Sequence, residues 1–136
     1  MVKRMITVAT VVVVGVAAAG AVTASAVTSA KVVPVRLNEY NIVPAKQGAP
    51  AGKVTFVLTN TGKLTHEFVV VKTAKPAGGL LKGGEADETG AAGEVADLKP
   101  GQTKKLTLTL KAGHYALLCN LPGHYRAGQL ADFYVR

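Results

Sequence analysis

Apolar and polar positions alternate with a period of two through much of this chain. Along 53–59, Val54, Phe56 and Leu58 fall on one side of an extended backbone, with Thr55 and Thr59 on the other. That is the period of a strand with one face buried. Leu106, Leu108 and Leu110 likewise alternate with Thr107 and Thr109, and threonine suits the solvated face because its branched side chain fits the pleat. Further strands are expected at 33–42, 66–72, 93–98, 114–119 and 130–135. Turn-forming groups separate them: Asn60-Thr61-Gly62, Lys99-Pro100-Gly101, Lys111-Ala112-Gly113 and Pro122-Gly123,. About seven short strands punctuated in this way predict an all-β chain folded as a two-sheet antiparallel sandwich.

Two stretches break the pattern. After Met1-Val2-Lys3-Arg4 no charged residue occurs until Lys31; 5–22 is rich in Val and Ala, and Ala24-Ser25-Ala26 offers small residues at a cleavage position. This is the layout of a signal peptide at 1–26, leaving a domain at 27–136. The same segment is just long enough to serve instead as an uncleaved anchor. The second stretch, 73–92, holds Gly78-Gly79, Gly83-Gly84 and Gly90 with the acidic trio Glu85, Asp87 and Glu88. It is expected to be a long loop with at most a short helix, and its acids are read as solvated.

Charge narrows the functional classes. The chain carries a net charge of +8; removing 1–26 takes away Lys3 and Arg4 and no acid, leaving about +6. Its lysines are scattered, so nucleic acid is not expected as a partner; the basic balance is read first as a solubilising surface, with steering toward an acidic partner as the alternative. There is one cysteine, so an exported domain would have no internal disulfide, and the thiol is either an inert core residue or chemically employed. Cys119 stands between an expected strand and a Pro-Gly-His turn, which favours employment.

The employment is legible in Cys119-Asn120-Leu121-Pro122-Gly123-His124. The tight turn at Pro122-Gly123 returns His124 toward the thiol, and His66, opening the run His66-Glu67-Phe68-Val69-Val70-Val71, is the candidate third donor. Gln129 adds a side-chain carbonyl. Two imidazoles and a thiolate with a weak fourth donor form a set suited to copper in one-electron transfer, whereas structural zinc takes four firm ligands. His114 opens a strand with Tyr115, Leu117 and Cys119 on the opposite parity and is expected at the surface, not as a ligand.

These residues resemble the cupredoxins, the small blue-copper family. The likeness extends over nearly all of 27–136: Val54–Gly62 resembles the strand before the family's first ligand, His66-Glu67-Phe68-Val69-Val70 its first-histidine motif, and Leu98-Lys99-Pro100-Gly101 with 113–119 the strands leading to its cysteine. The spacing of 119–128 is similar to auracyanin-, rusticyanin- and sulfocyanin-like members. The resemblance implies a Greek-key sandwich and one type 1 copper ion held by His66, Cys119 and His124. At Gln129 the chain departs from most such relatives, which carry Met there, and resembles stellacyanins, which carry Gln; Gln129 is the expected axial donor. Asn60 and the backbone amides of Glu67 and Asn120 are candidates to bond the thiolate or to lock the loop.

The function expected is that of an extracytoplasmic, monomeric one-electron carrier, with Leu64, Leu121, Pro122 and Ala127 as an apolar docking patch around His124. Its partners would be redox proteins, with a membrane involved only if the leader is retained. The alternative is an extracytoplasmic module that stores or delivers copper. An enzyme is not expected, because one site exhausts the His–Cys set and no nucleophile–base–carboxylate group or phosphate-cradling loop appears.

Overall fold

The alternation seen in the sequence becomes two facing sheets with their apolar sides between them. The computed structural model describes residues 30–136; the expected leader at 1–26 lies outside the described residues. Strands run β1 (Lys31–Asn38), β2 (Asn41–Pro44), β3 (Gly48–Ala49), β4 (Gly52–Asn60), β5 (His66–Lys72), β6 (Leu81–Lys82), β7 (Glu85–Ala86), β8 (Ala91–Leu98), β9 (Thr103–Leu110), β10 (Gly113–Leu118) and β11 (Leu130–Val135), with one 3₁₀ turn at Ala77–Gly79. The first sheet has the order β2-β1-β4-β9, the second β3-β11-β10-β5-β8, and β6-β7 form a separate hairpin. The sandwich is therefore as expected, with one refinement: β1·β4 and β3·β11 pair in parallel, the other pairs antiparallel. Parallel pairing follows because β1 and its neighbour β4 both run toward the same end of the molecule, with β2 and β3 taking the chain back between them.

Val54, Phe56 and Leu58 are buried with Val33, Val35 and Leu37 opposite Phe68, Val70, Leu117 and Phe133. Phe56 bridges the sheets, its ring 5.3 Å from that of Phe68 and 5.4 Å from that of Phe133. On the outer face of β4·β9 the threonines pair across the strands, Thr55 with Thr107 at 2.8 Å and Thr59 with Thr103 at 3.1 Å.

Two expected elements resolve differently. The run 33–42 is two strands, because inward positions are odd up to Leu37 and even at Ile42; the parity change marks a turn, closed by the Asn41 amide donating to the Asn38 side-chain oxygen at 3.1 Å,. The stretch 73–92 is a cover. Val69 and Val71 of β5 and Ala116 and Leu118 of β10 face away from the main core and pack with Ala77, Leu80, Ala86 and Tyr125 in a second cluster. The unbroken apolar run at 68–71 records burial on both faces.

Candidate metal centre

Loops from both sheets meet at one end of the sandwich. The loop between β10 and β11 is tied across its neck by Cys119 N–H to Gln129 O, 3.1 Å, and folded inward by His124 N–H to Leu121 O, 2.9 Å, and Gln129 N–H to His124 O, 3.1 Å. Gly123 and Gly128 hold φ of 82° and 98°, a region costly for residues with a Cβ,. These turns point His124 back toward Cys119. His66 arrives from the adjacent strand: β5 pairs antiparallel with β10, Val69 opposite Leu118, so residues 66–67 continue opposite 120–121, next to Cys119.

The result is a cluster in which one donor atom each from His66, Cys119 and His124 lies within 4.8 Å of the others. His124 Nδ1 is 3.3 Å from His66 Nδ1 and 3.4 Å from Cys119 Sγ. Gln129 Oε1 is 3.0 Å from His124 Nδ1. His66, Cys119 and Gln129 are fully buried, while His124 is half-buried and reaches the surface. Converging imidazole nitrogens, a thiol and a carbonyl oxygen in a water-poor pocket fit a single soft-to-borderline metal ion. All four sequence-derived candidates thus come together.

Electrostatics poise these donors. Burial pushes the Cys119 thiol above its ordinary 9.0, opposed by the amides of Glu67, whose N–H donates to Sγ at 3.3 Å, and Leu121. Burial lowers His66 below its ordinary 6.5, opposed by its hydrogen bond to Glu39, so the ring is neutral at pH 7,.

The flanking residues divide by role. The Glu67 amide meets the sulfur as expected. Asn60 does not; buried, it donates to Leu64 O and Leu98 O, both at 2.8 Å, and accepts from Gly62 N–H at 2.9 Å, locking the loop before His66. The Asn120 amide also locks rather than bonds sulfur, donating to Glu67 Oε1 at 3.0 Å. The Asn120 side chain exchanges hydrogen bonds with Ala86 N–H (2.7 Å) and Ala86 O (3.1 Å) and donates to Glu88 (2.7 Å), fastening the 73–92 cover to the cysteine loop. Half-buried Glu67 titrates above the usual carboxylate range, mainly through desolvation. Leu64, Pro122 and Ala127 are exposed, whereas Leu121 packs half-buried on the main core. His114 is away from the cluster, half-buried, and bonded to Thr73 O at 2.9 Å and Asp132 at 2.8 Å.

Two residues escaped sequence reasoning. Glu39 accepts from Lys63 N–H (2.9 Å) and Leu64 N–H (2.8 Å) and stands 3.0 Å from His66 Nε2. Those amides, Leu64 first, hold its carboxyl down to about 2. Tyr40 sets its ring edge-on to His124, centroids 5.1 Å apart. Both sit in the β1–β2 turn, and the parity change between Leu37 and Ile42 was the one available signal.

A family model described as a cupredoxin-like domain matches residues 8–131. The copper-resistant cuproprotein CopI of Vibrio cholerae is 32% identical over 107 residues, covering 74% of this chain; the chain spans only 62% of that relative's length. Dithionite-reduced auracyanin of Roseiflexus castenholzii is similar at 26% identity, over 79% of this chain and 98% of its own, with a TM-score of 0.58. Rusticyanin of Thiobacillus ferrooxidans, at 19% identity with 79% of each chain covered and a TM-score of 0.61, shares the fold.

Proposed function

The chain belongs to the cupredoxin-like family, and from that premise we propose that it is an extracytoplasmic one-electron carrier whose copper is held by His66, Cys119 and His124. The cofactor of this fold and donor set is copper, which supplies a Cu(II)/Cu(I) couple. The observation carrying the reading is the convergence of three donor atoms within 4.8 Å at a buried end from which only His124 reaches solvent.

Each residue has a part. Cys119 provides the soft anionic donor, and the Glu67 N–H at its sulfur stabilises the thiolate,. His66, packed and tethered, holds its place as charge changes, which keeps rearrangement small. His124 offers the short path to the surface, edged by Tyr40, with Leu64, Pro122 and Ala127 as the exposed apolar contact area. Gln129 would supply a fourth, weaker donor through Oε1, which lies 3.0 Å from His124 Nδ1, while its Nε2 donates to Asn38 O and meets His66 Nδ1, each at 3.0 Å. Exposed Lys63 and Arg126 border the contact area and favour an acidic redox partner met by a monomer,.

The similarity to CopI, a copper-resistant cuproprotein, supports a second reading in which the site binds copper for storage or delivery. Visible absorption and copper spin resonance after addition of Cu(II) test the first requirement. An intense thiolate-to-copper band with narrow hyperfine splitting is expected, and an ordinary pale copper spectrum overturns the assignment. Electron self-exchange against copper hand-over to a chelator then separates the two readings: a carrier exchanges electrons fast and releases copper slowly.

A further inference from the structure

We propose that Glu39 is a positioning and tuning residue for the copper ligand His66, biasing the site toward the oxidised state. The inference rests on the copper reading above and goes beyond it, because it assigns the site's redox balance to a carboxylate outside the ligand set. Glu39 lies in the β1–β2 turn, on the other side of the His66 ring from Cys119 and His124. Its Oε1 gathers three partners: Lys63 N–H at 2.9 Å, Leu64 N–H at 2.8 Å and His66 Nε2 at 3.0 Å. Oε2 is 3.1 Å from the Lys63 amide. Backbone amides can only donate, and they reach both carboxyl oxygens, so the group is an acceptor at Oε1 and at Oε2 and the geometry is that of a carboxylate,. His66 Nε2 therefore carries the proton, and His66 Nδ1 is the bare nitrogen presented to the cluster.

The seat is built for this carboxylate. A Cβ at Gly62 would overlap the Glu39 carboxyl group, so a residue without one lets the 60–64 turn close around it. Asn60 fixes that turn from the other side. Only 26% of the Glu39 side chain is exposed, and the His66 side chain not at all, so little water intervenes between the charge and the ring. A full negative charge bonded to a ligand imidazole makes the ring a stronger donor and stabilises the more positive metal state. Latching the turn alone would need only the hydrogen bonds; the charge is what reaches the metal.

Glu39→Gln separates the two. With its carbonyl oxygen at the Oε1 position, the amide can keep the three Oε1 hydrogen bonds while losing the charge and the weaker Oε2 contact with the Lys63 amide. The expected result is a blue site of similar intensity whose preference for Cu(II) over Cu(I) falls about tenfold, a rise in midpoint potential of about 59 mV for a one-electron couple. An unchanged or lower potential overturns the proposal and leaves Glu39 a loop latch. Gly62→Ala, which displaces the carboxyl group without removing it, decides the matter if the amide variant does not fold: a raised potential supports the proposal and an unchanged one overturns it. Nitrogen-15 spectra of the metal-free chain read the tautomer directly, with His66 protonated at Nε2 expected and an Nδ1-protonated ring contradicting it. If the wild-type chain gives no blue band, the copper reading fails, while the tautomer spectra still judge the Glu39–His66 bond.

Discussion

Cys119 and His66 show burial acting in opposite directions on an acid and a base. The thiol titrates above 9.0 and the imidazole below 6.5, so at neutral pH the metal-free site holds a protonated sulfur and a neutral ring. Binding must expel the thiol proton, and copper affinity should therefore rise about tenfold per pH unit between pH 6 and 8. Competition with a chelating indicator across that range checks the slope; a flat profile would mean the thiol is not the displaced acid. In the metal-free chain the unfolded state binds the extra proton at His66 as pH drops below 6.5, and the folded state retains the extra proton at Cys119 above 9.0. Stability is thus lost toward both extremes. Gln129 sets a second residue-scale expectation. A carboxamide oxygen is harder than a thioether and favours Cu(II), so Gln129→Met should raise the midpoint potential, as measured by redox titration of the blue band. An unchanged value would show that the side chain does not act on the copper.

At the scale of elements, the 73–92 segment matters most. It seals the outer face of β5 and β10, which places a second apolar layer behind the strands that carry His66 and Cys119. Buried Tyr125 fastens it: its hydroxyl donates to Ala77 O at 2.6 Å and accepts from Leu80 N–H at 2.9 Å. Tyr125→Phe keeps the ring and leaves both backbone groups without partners, a loss of about 1–3 kcal/mol. Denaturant unfolding should show that decrease, with faster hydrogen exchange at the Leu80 amide while exchange in β4 and β9 is unaffected. Equal exchange at Leu80 would mean that the Tyr125 hydroxyl does not fasten the cover. Because Asn120 ties the same segment to the cysteine loop, the cover and the site form one mechanical unit.

For the molecule as a whole, two sheets packed through Phe56, Phe68 and Phe133 give a stiff frame, and the loops that hold the donors are hydrogen-bonded to that frame and to each other. Such a frame suits a site that must hold one geometry through a change of charge. Association with a partner depends instead on the surface. Lys63 adjoins Leu64 and Arg126 adjoins Ala127, all exposed. Reversing both charges, Lys63→Glu with Arg126→Glu, should slow electron transfer to an acidic partner several-fold at low ionic strength, with the difference vanishing in high salt as screening sets in. Stopped-flow rates over a salt series provide the check, and a salt-independent defect would locate the effect in the site rather than in the encounter.

Local chemistry determined much of this protein in advance. Strict alternation in β4 and β9 specified which face is buried, because the side-chain period of a strand admits one register against a core. A Cys followed five positions later by a His across a Pro-Gly turn read as a metal loop only in combination with the strand-opening His66 and the all-β pattern, since a Cys–His pair at that spacing is common by chance. His66 could be named a partner but not placed, because its distance from Cys119 depends on β5 pairing with β10. Only the tertiary structure decided the rest. Of the two parts expected for Asn60 it takes the loop lock and not the thiolate partner, Leu121 is half-buried on the core, and the 73–92 loop becomes a cover, each through neighbours remote in sequence. Glu39 is the clearest case. A lone acid in a turn carries no signal by itself, and it acquires a role because parallel pairing of β1 with β4 ends both strands at the level of His66, where two backbone amides and one imidazole nitrogen converge on a single oxygen.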